Sequence, residues 1–381
     1  MSVLGNYIQI LGGGTPNRDI EGYWEGDVPW ATVKDLTSKH ISETYESITE
    51  RGVDNCATQI VPAGTLLIAT RMALGRMSIT NVPMAFNQDL KALVINGKVD
   101  QTYLYYFLFA KENYFISRGN GATVKGFKIE DIRSLPFAPP ALPTQRRIAA
   151  ILDKAQALVA NDRRTLAVYD QLAKSLFLEL FGDPVRNERG WETVDLGSLC
   201  EVVRGSSPRP QGDARYFGGP VPRLMVADLT RDGMYVTPQI DSLTIEGSQR
   251  SRPMKRGDLV MAVSGKPGLP AILMVDCCIH DGFAGFRDFD KGFDLRFIYH
   301  YLNMLAVGVS DKSVGAIFKN ITTEEIRRMR IPLVPLKAQE RFGTLLHNIQ
   351  KQRTCIAASL HQSEGLFGSL LQGAFRGELG N

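Results

Sequence analysis

The strongest constraint on this chain is that one long helical pattern occurs in it twice. Residues 142–182 read LPTQRRIAAILDKAQALVANDRRTLAVYDQLAKSLFLELFG, with neither Pro nor Gly from Thr144 to Phe181. Apolar side chains recur at alternating steps of four and three: Ile148, Leu152, Ala155, Val159, then Asp162, then Leu166, Tyr169, Ala173, Leu176 and Leu180. That is a heptad seam with one polar break. Shifting by 194 gives a second seam: Phe342, Leu346, Ile349, Arg353, Ile356, Leu360, Ser363, Phe367, Leu370 and Ala374. Gln145 meets Gln339 at the same offset, Arg147 meets Arg341, Ser175 meets Ser369 and Phe181 meets Phe375. Each helix is predicted over about 37 residues, or roughly 55 Å. Two such helices bury their seams against each other, and a pseudo-twofold makes them antiparallel. One register sets seam against seam throughout. It pairs Ile148 with Phe367, Ala155 with Leu360, Val159 with Ile356, Leu166 with Ile349 and Tyr169 with Leu346, and it opposes the charged members Asp162 and Arg353.

The sequence between the helices repeats as well. Leu4-Gly5 matches Leu196-Gly197, Gly13 matches Gly205, Val28-Pro29 matches Val221-Pro222, and Asp35-Leu36 matches Asp228-Leu229. Gly64 matches Gly257, Lys125 matches Lys319, and Glu130 matches Glu324. Between these anchors the copies diverge freely. Trp191-Glu192 has no counterpart before Ser2. Short apolar runs at 7–11, 61–69, 77–80 and 90–95 read as strands. The aromatic runs at 103–109 and 293–302 have helical spacing and read as core rather than base-stacking surfaces. The expected fold class is α+β: two pseudo-repeated globular units joined by two long helices that form an antiparallel coiled coil. Four segments follow, at 1–142, 143–182, 183–336 and 337–381.

Composition narrows the function by exclusion. The net charge is +4; residues 1–142 contribute −1 (13 basic, 14 acidic) and residues 191–336 contribute +1 (18 basic, 17 acidic). Nearly neutral units do not make an autonomous nucleic-acid binder; a local basic face or a partner is needed. Cys56, Cys200, Cys277, Cys278 and Cys355 form no CxxC pair, so buried free thiols in a reducing cytoplasm are expected. No signal peptide and no membrane span is expected. There is no P-loop, no HExxH among the five histidines, and no amino-methyltransferase tetrapeptide. The triple glycine at 12–14 reads as a turn, and Ser264 lacks a nucleophile elbow. Nothing in the sequence looks catalytic.

The residues that carry a resemblance are at 121–152, GATVKGFKIEDIRSLPFAPPALPTQRRIAAIL, and at 315–346, GAIFKNITTEEIRRMRIPLVPLKAQERFGTLL. Both have a Gly, a Lys four residues on, a Glu-x-Ile turn, a proline-rich strand and Gln-x-Arg opening a helix. The run resembles the junction of target recognition domain and conserved helix in specificity subunits of type I restriction–modification systems, over essentially the whole chain. The stretch 191–208 resembles the opening of such a domain. The resemblance implies a non-catalytic subunit. Its two target recognition domains would each read half of a bipartite DNA site, and its helices would act as a ruler between the halves. It implies two methyltransferase subunits and a restriction–translocation subunit as partners, with S-adenosylmethionine, ATP and Mg on those partners and no cofactor or metal in this chain. A specificity subunit of a type II enzyme, a solitary methylation guide, and a coiled-coil scaffold with no DNA role are the alternatives. Divergence concentrated in loops argues against the last.

Base readout needs donors and acceptors on exposed loops. The first unit offers Thr15, Asn17, Arg18, Thr70, Arg71, Arg76, Asn87, Gln88, Arg118, Asn120 and Lys125. The second offers Ser206, Ser207, Arg209, Ser264, Lys266, His280, Lys312 and Lys319. Lys125 and Lys319 repeat, so the same job in both halves is expected of them: a phosphate contact or a link to the helix.

Overall fold

The computed structural model describes residues 2–119, 126–307 and 321–377. The chain divides into two compact units: unit 1 holds Met1–Arg163 with Ala358–Asn381, and unit 2 holds Arg164–Ala357. The long helices run Leu142–Phe181 and Leu336–Arg376. Each unit therefore combines one mixed globular part with the start of the helix that follows it and the end of the other helix.

The repeat in sequence is a repeat in topology. Unit 1 has a five-stranded sheet in the order Ile8–Gly12, Leu90–Ile95, Leu66–Ala69, Met77–Thr80, His40–Ile41. Unit 2 has Glu201–Arg204, Phe283–Arg287, Leu259–Ala262, Pro270–Leu273, Tyr235–Val236 in the same order. In both, the last strand joins in parallel and its neighbours are antiparallel. A second, smaller sheet is built on Trp24–Ala31 in unit 1 and on Phe217–Leu224 in unit 2, each irregular after its first residue. Unit 2 adds a ribbon, Thr193–Asp195 with Arg330–Pro332, where unit 1 has a single bridge from Val3 to Pro136. The extra residues Trp191 and Glu192 lead into that ribbon.

Central strands buried on both faces read as continuous apolar runs: Leu66–Ala69 and Leu259–Ala262 are entirely buried. The aromatic runs are core helices, Gln101–Phe109 and Leu295–Val307. The end of a long helix docks on each. Phe367 and Phe375 meet Tyr103, Tyr106 and Phe107 in unit 1. Phe177 and Phe181 meet Phe297 in unit 2, where Phe342 closes the cluster. Aromatic pairs of this kind, most of them edge-to-face, add about 1 kcal/mol each beyond their buried area.

Every seam position on both helices is buried or half-buried, as its spacing predicts. The register, however, is not the expected one. Asp162 accepts hydrogen bonds from Ser359 (3.1 Å) and Ser363 (2.8 Å), and Arg163 pairs with Glu364 at 2.7 Å. Arg353 donates to Asp170 at 2.7 Å rather than meeting Asp162. The helices have slid by roughly one heptad, which leaves seam facing seam and changes only the partners. A carboxylate between two serine hydroxyls is satisfied without an opposite charge, so the polar break needed no ion pair. The thiols also differ from expectation. Cys200, Cys277 and Cys278 are buried, but Cys56 is half-buried and Cys355 is exposed on the outer face of its helix.

The start of each helix is latched to its own unit by a glutamine. Gln145 is fully buried; its amide oxygen accepts from the Asp100 N–H at 2.7 Å, and its nitrogen donates to the carbonyls of Lys98 and Pro140. Gln339, also fully buried, accepts from the Asp294 N–H at 2.9 Å and donates to Gly292 and Val334. Asp35 and Asp228 repeat in the same way, each buried and each capping a turn three residues upstream.

Candidate nucleic-acid interface

The glycine-bearing loop after the first strand of each five-stranded sheet lies flat on a strand end. At Gly13 a β-carbon would sit 2.2 Å from the Asn87 carbonyl oxygen, and at Gly205 1.9 Å from that of His280. Only glycine permits the approach. It carries Thr15 and Arg18 in unit 1, and Ser206, Ser207 and Arg209 in unit 2, against the loop before the last sheet strand.

In unit 1 these residues form one strip. The Arg18 guanidinium lies 3.7 Å from the centre of the Trp24 ring and grips the Glu46 carboxylate with both terminal nitrogens. Trp30 lies behind, 2% exposed, its indole N–H donating to the Gly14 carbonyl at 3.0 Å. Thr15 donates to Gln88, and Arg71 stands 3.8 Å from Asp89 with most of its side chain in solvent. The hydrogen bond from Arg18 holds the Glu46 carboxyl below its ordinary range. Asn17 turns inward on its own loop, taking the Asp19 N–H.

In unit 2 the strip has another chemistry. Arg223 is buried; Nη1 donates to Asp241 at 2.5 Å and Nη2 to the Ser207 hydroxyl at 3.0 Å. Ser207 donates to Asp281 at 2.8 Å, and Asp281 also receives Arg209 at 3.3 Å. The Ser207 hydrogen bond keeps the Asp281 carboxyl below its usual value. Burial, with Arg223 nearby, lowers His280, whose Nδ1 accepts from the Gly282 N–H. Ser206 is taken up by the backbone, and Ser264 stands exposed on the neighbouring turn.

Several candidates fall away from these strips. Thr70 is buried and donates to the Asp89 carbonyl. Asn87 is buried and fastens the Asp89 turn. Both hold the loop's shape and expose little to a ligand. Arg76 lines a cavity of about 430 Å³ with Lys39, Tyr105 and Gln156, on the long-helix side of unit 1. Arg118 stacks on Tyr114, 5.1 Å away, near Asp131. Lys266 reaches Thr230. Asn120, Lys125, Lys312 and Lys319 lie outside the described residues. Sequence reading missed Glu46, Trp24, Trp30, Asp89, Arg223, Asp241 and Asp281. A signal for two of them was present: Trp30 and Arg223 directly follow the repeated Val-Pro anchors, so their divergence was legible. Among the described residues, no cluster of His, Cys, Asp and Glu could hold a metal, and no helix is long and apolar enough to cross a membrane.

Comparison with known proteins agrees with this architecture. Chains of similar fold include the type I restriction–modification S subunit from M. genitalium, with a TM-score of 0.57 at 13% identity, covering 98% of this chain and 94% of that one. A chain from a structure on complex assembly and conformational transition of the type I R-M system gives 0.58 at 19% identity, covering 99% and 97%. The type I restriction enzyme MjaIX specificity subunit of Methanocaldococcus jannaschii is 29% identical over 58% of this chain and 56% of its own length. The EcoR124I/EcoR124II specificity subunit of Escherichia coli is 28% identical over 41% of this chain and 40% of its own. The chain thus spans about half the length of these curated relatives. The profile of the type I restriction modification DNA specificity domain matches residues 2–167 and again 188–362, one match per repeat, and the chain belongs to that family.

Proposed function

We propose that this chain is a non-catalytic DNA-specificity subunit that reads a bipartite duplex site, one half per unit, and brings partner subunits to it. One observation carries the reading: two copies of a single scaffold, latched alike to their helices, present loop strips of different hydrogen-bonding chemistry. Arg18 over Trp24 offers donors suited to guanine or phosphate, while Ser207, Asp281 and Arg209 offer a mixed set. Unlike readers on like supports suit a site with two unlike halves. The methyltransferase subunits, two in number, would supply S-adenosylmethionine chemistry and much of the phosphate attraction that a +4 chain lacks. A restriction–translocation subunit using ATP and Mg would join them, in the cytoplasm, and the long helices would set the distance between halves.

The test is to express the chain with its methyltransferase partner in a host free of other modification and map the methylated bases. A motif of two unlike halves at fixed spacing is expected. A single uninterrupted motif, or methylation without sequence preference, overturns the reading.

A further inference from the structure

One of the buried positions at which the two strips differ lies opposite an acid in both units. Trp30 and Arg223 are equivalent, each opposite an acid on the neighbouring strand: Trp30 faces Glu46 and Arg223 faces Asp241. Trp24 and Phe217, at the start of the same strands, are equivalent as well, and each is the ring over which an arginine lies. The acid and the ring are thus retained in kind. What changes is where the arginine comes from. With Trp at the strand position, the arginine is Arg18, on the loop, its side chain 54% exposed. With Arg at the strand position, the guanidinium is buried at 5% exposure, and the loop presents a serine and an exposed arginine instead.

We propose that Arg223 is a specificity-setting positioning residue of unit 2, acting on the DNA-facing loop through Ser207, Asp281 and Arg209. This rests on the DNA-reading function proposed above. The route is a chain of donors and acceptors from sheet to surface. Asp241 fixes one arm of the Arg223 fork, and the other arm donates to the Ser207 oxygen. The Arg223 arm can only donate and the Asp281 carboxylate can only accept, so the hydroxyl hydrogen is directed to Asp281. Asp281 in turn holds Arg209, whose side chain is 68% exposed. The buried guanidinium therefore fixes which way the Ser207 hydroxyl points and where Arg209 stands, without touching a ligand. A fork is needed: two acceptors on different elements are spanned by one planar group, which a lysine ammonium does not reproduce. In unit 1 the same position cannot act in this way, since the Trp30 indole makes one donation, inward to Gly14.

The experiment uses the full chain assembled with its methyltransferase partner. It measures binding to three duplexes: the complete site, the site with one half scrambled, and the site with the other half scrambled, each across a salt series. Arg223→Met and Arg223→Lys are each expected to reduce discrimination at one half by roughly tenfold. Discrimination at the other half, affinity for unrelated duplex and the salt slope should stay at wild-type values, which simple damage to the fold would not leave intact. Arg18→Gln should lower discrimination at the opposite half. Unchanged discrimination in a folded Arg223→Met overturns the proposal, as does full retention by Arg223→Lys. If the Arg223 variants do not fold, Asp281→Asn probes the exposed end of the same chain, and unchanged discrimination there also overturns it. Failure of the underlying reading looks different: the unmodified complex would then prefer none of the three duplexes.

Discussion

Gln145 in unit 1 and Gln339 in unit 2 make the same three hydrogen bonds to equivalent backbone atoms. Tyr106 and His300, at equivalent positions on the core helices, share no partner. Tyr106 hydrogen-bonds Asp153 at 2.6 Å, and Lys39 closes on the same carboxylate. In unit 2 the counterparts are His300, His347 and Met234, and among the described residues nothing bridges them. A cavity of about 540 Å³ opens there instead, and the His300 Nε2 has no partner. The contrast separates two kinds of position. Gln145 and Gln339, like Asp35 and Asp228, satisfy backbone that follows a common path in both units, and are copied. Tyr106, Asp153 and Lys39, which satisfy one another, have changed as a set.

The largest test of that distinction is the glutamine latch. Gln145→Leu would orphan one buried N–H and two carbonyls, a loss of roughly 3–5 kcal/mol. Gln339→Leu should cost the same, and denaturant titrations that differ by more than about 1 kcal/mol between them would break the equivalence. The next effect belongs to unit 2 alone. Desolvation pushes His300 down to about 4, below its ordinary 6.5. Between those values the unfolded chain takes a proton that the folded chain refuses. Stability is therefore fully present at neutral pH and lost as pH falls toward 4, by up to about 3 kcal/mol. His300→Phe, beside Phe342, should flatten that dependence, followed by urea unfolding at pH 7 and 4.5. A slope that persists in the variant assigns the titration elsewhere. Arg71→Ala is expected to weaken binding at one half-site by about 2 kcal/mol and to spare the other; equal loss on DNA lacking the site would remove it from base reading. The smallest effect is at the exposed Arg353–Asp170 pair, where Arg353→Ala should cost no more than about 0.5 kcal/mol.

The long helices, their seams and the order of units were legible because period and offset survive without contacts. The strands at 77–80 and 90–95 were legible for a related reason: runs of apolar residues between turn signals have few alternatives. The register was not. A heptad seam slid by seven residues still faces a seam, so the pattern permits both solutions. What selects one is the seating of Phe367 and Phe375 on the aromatic helix of unit 1, and of Phe177 and Phe181 on that of unit 2, contacts made to the core helices rather than from one long helix to the other. The candidate loops were picked out by residue type alone, which does not say which polar atoms are free. Thr70 and Asn87 have the residue types of base readers, yet both spend their polar atoms on the turn at Asp89. Arg223 escaped notice because a strand position beside a repeated Val-Pro reads as core, and an arginine is tolerated there only with Asp241 and Ser207 in reach.

Unit 2 is continuous in sequence, whereas unit 1 is closed by residues from 358 onward. A ribosome therefore delivers everything unit 2 requires before it delivers the aromatic side chains that cover the Tyr103–Phe107 face of unit 1. The half that is begun first is completed last. Until Phe367 and Phe375 arrive, the Tyr103–Phe107 face lacks the aromatic side chains that pack on it.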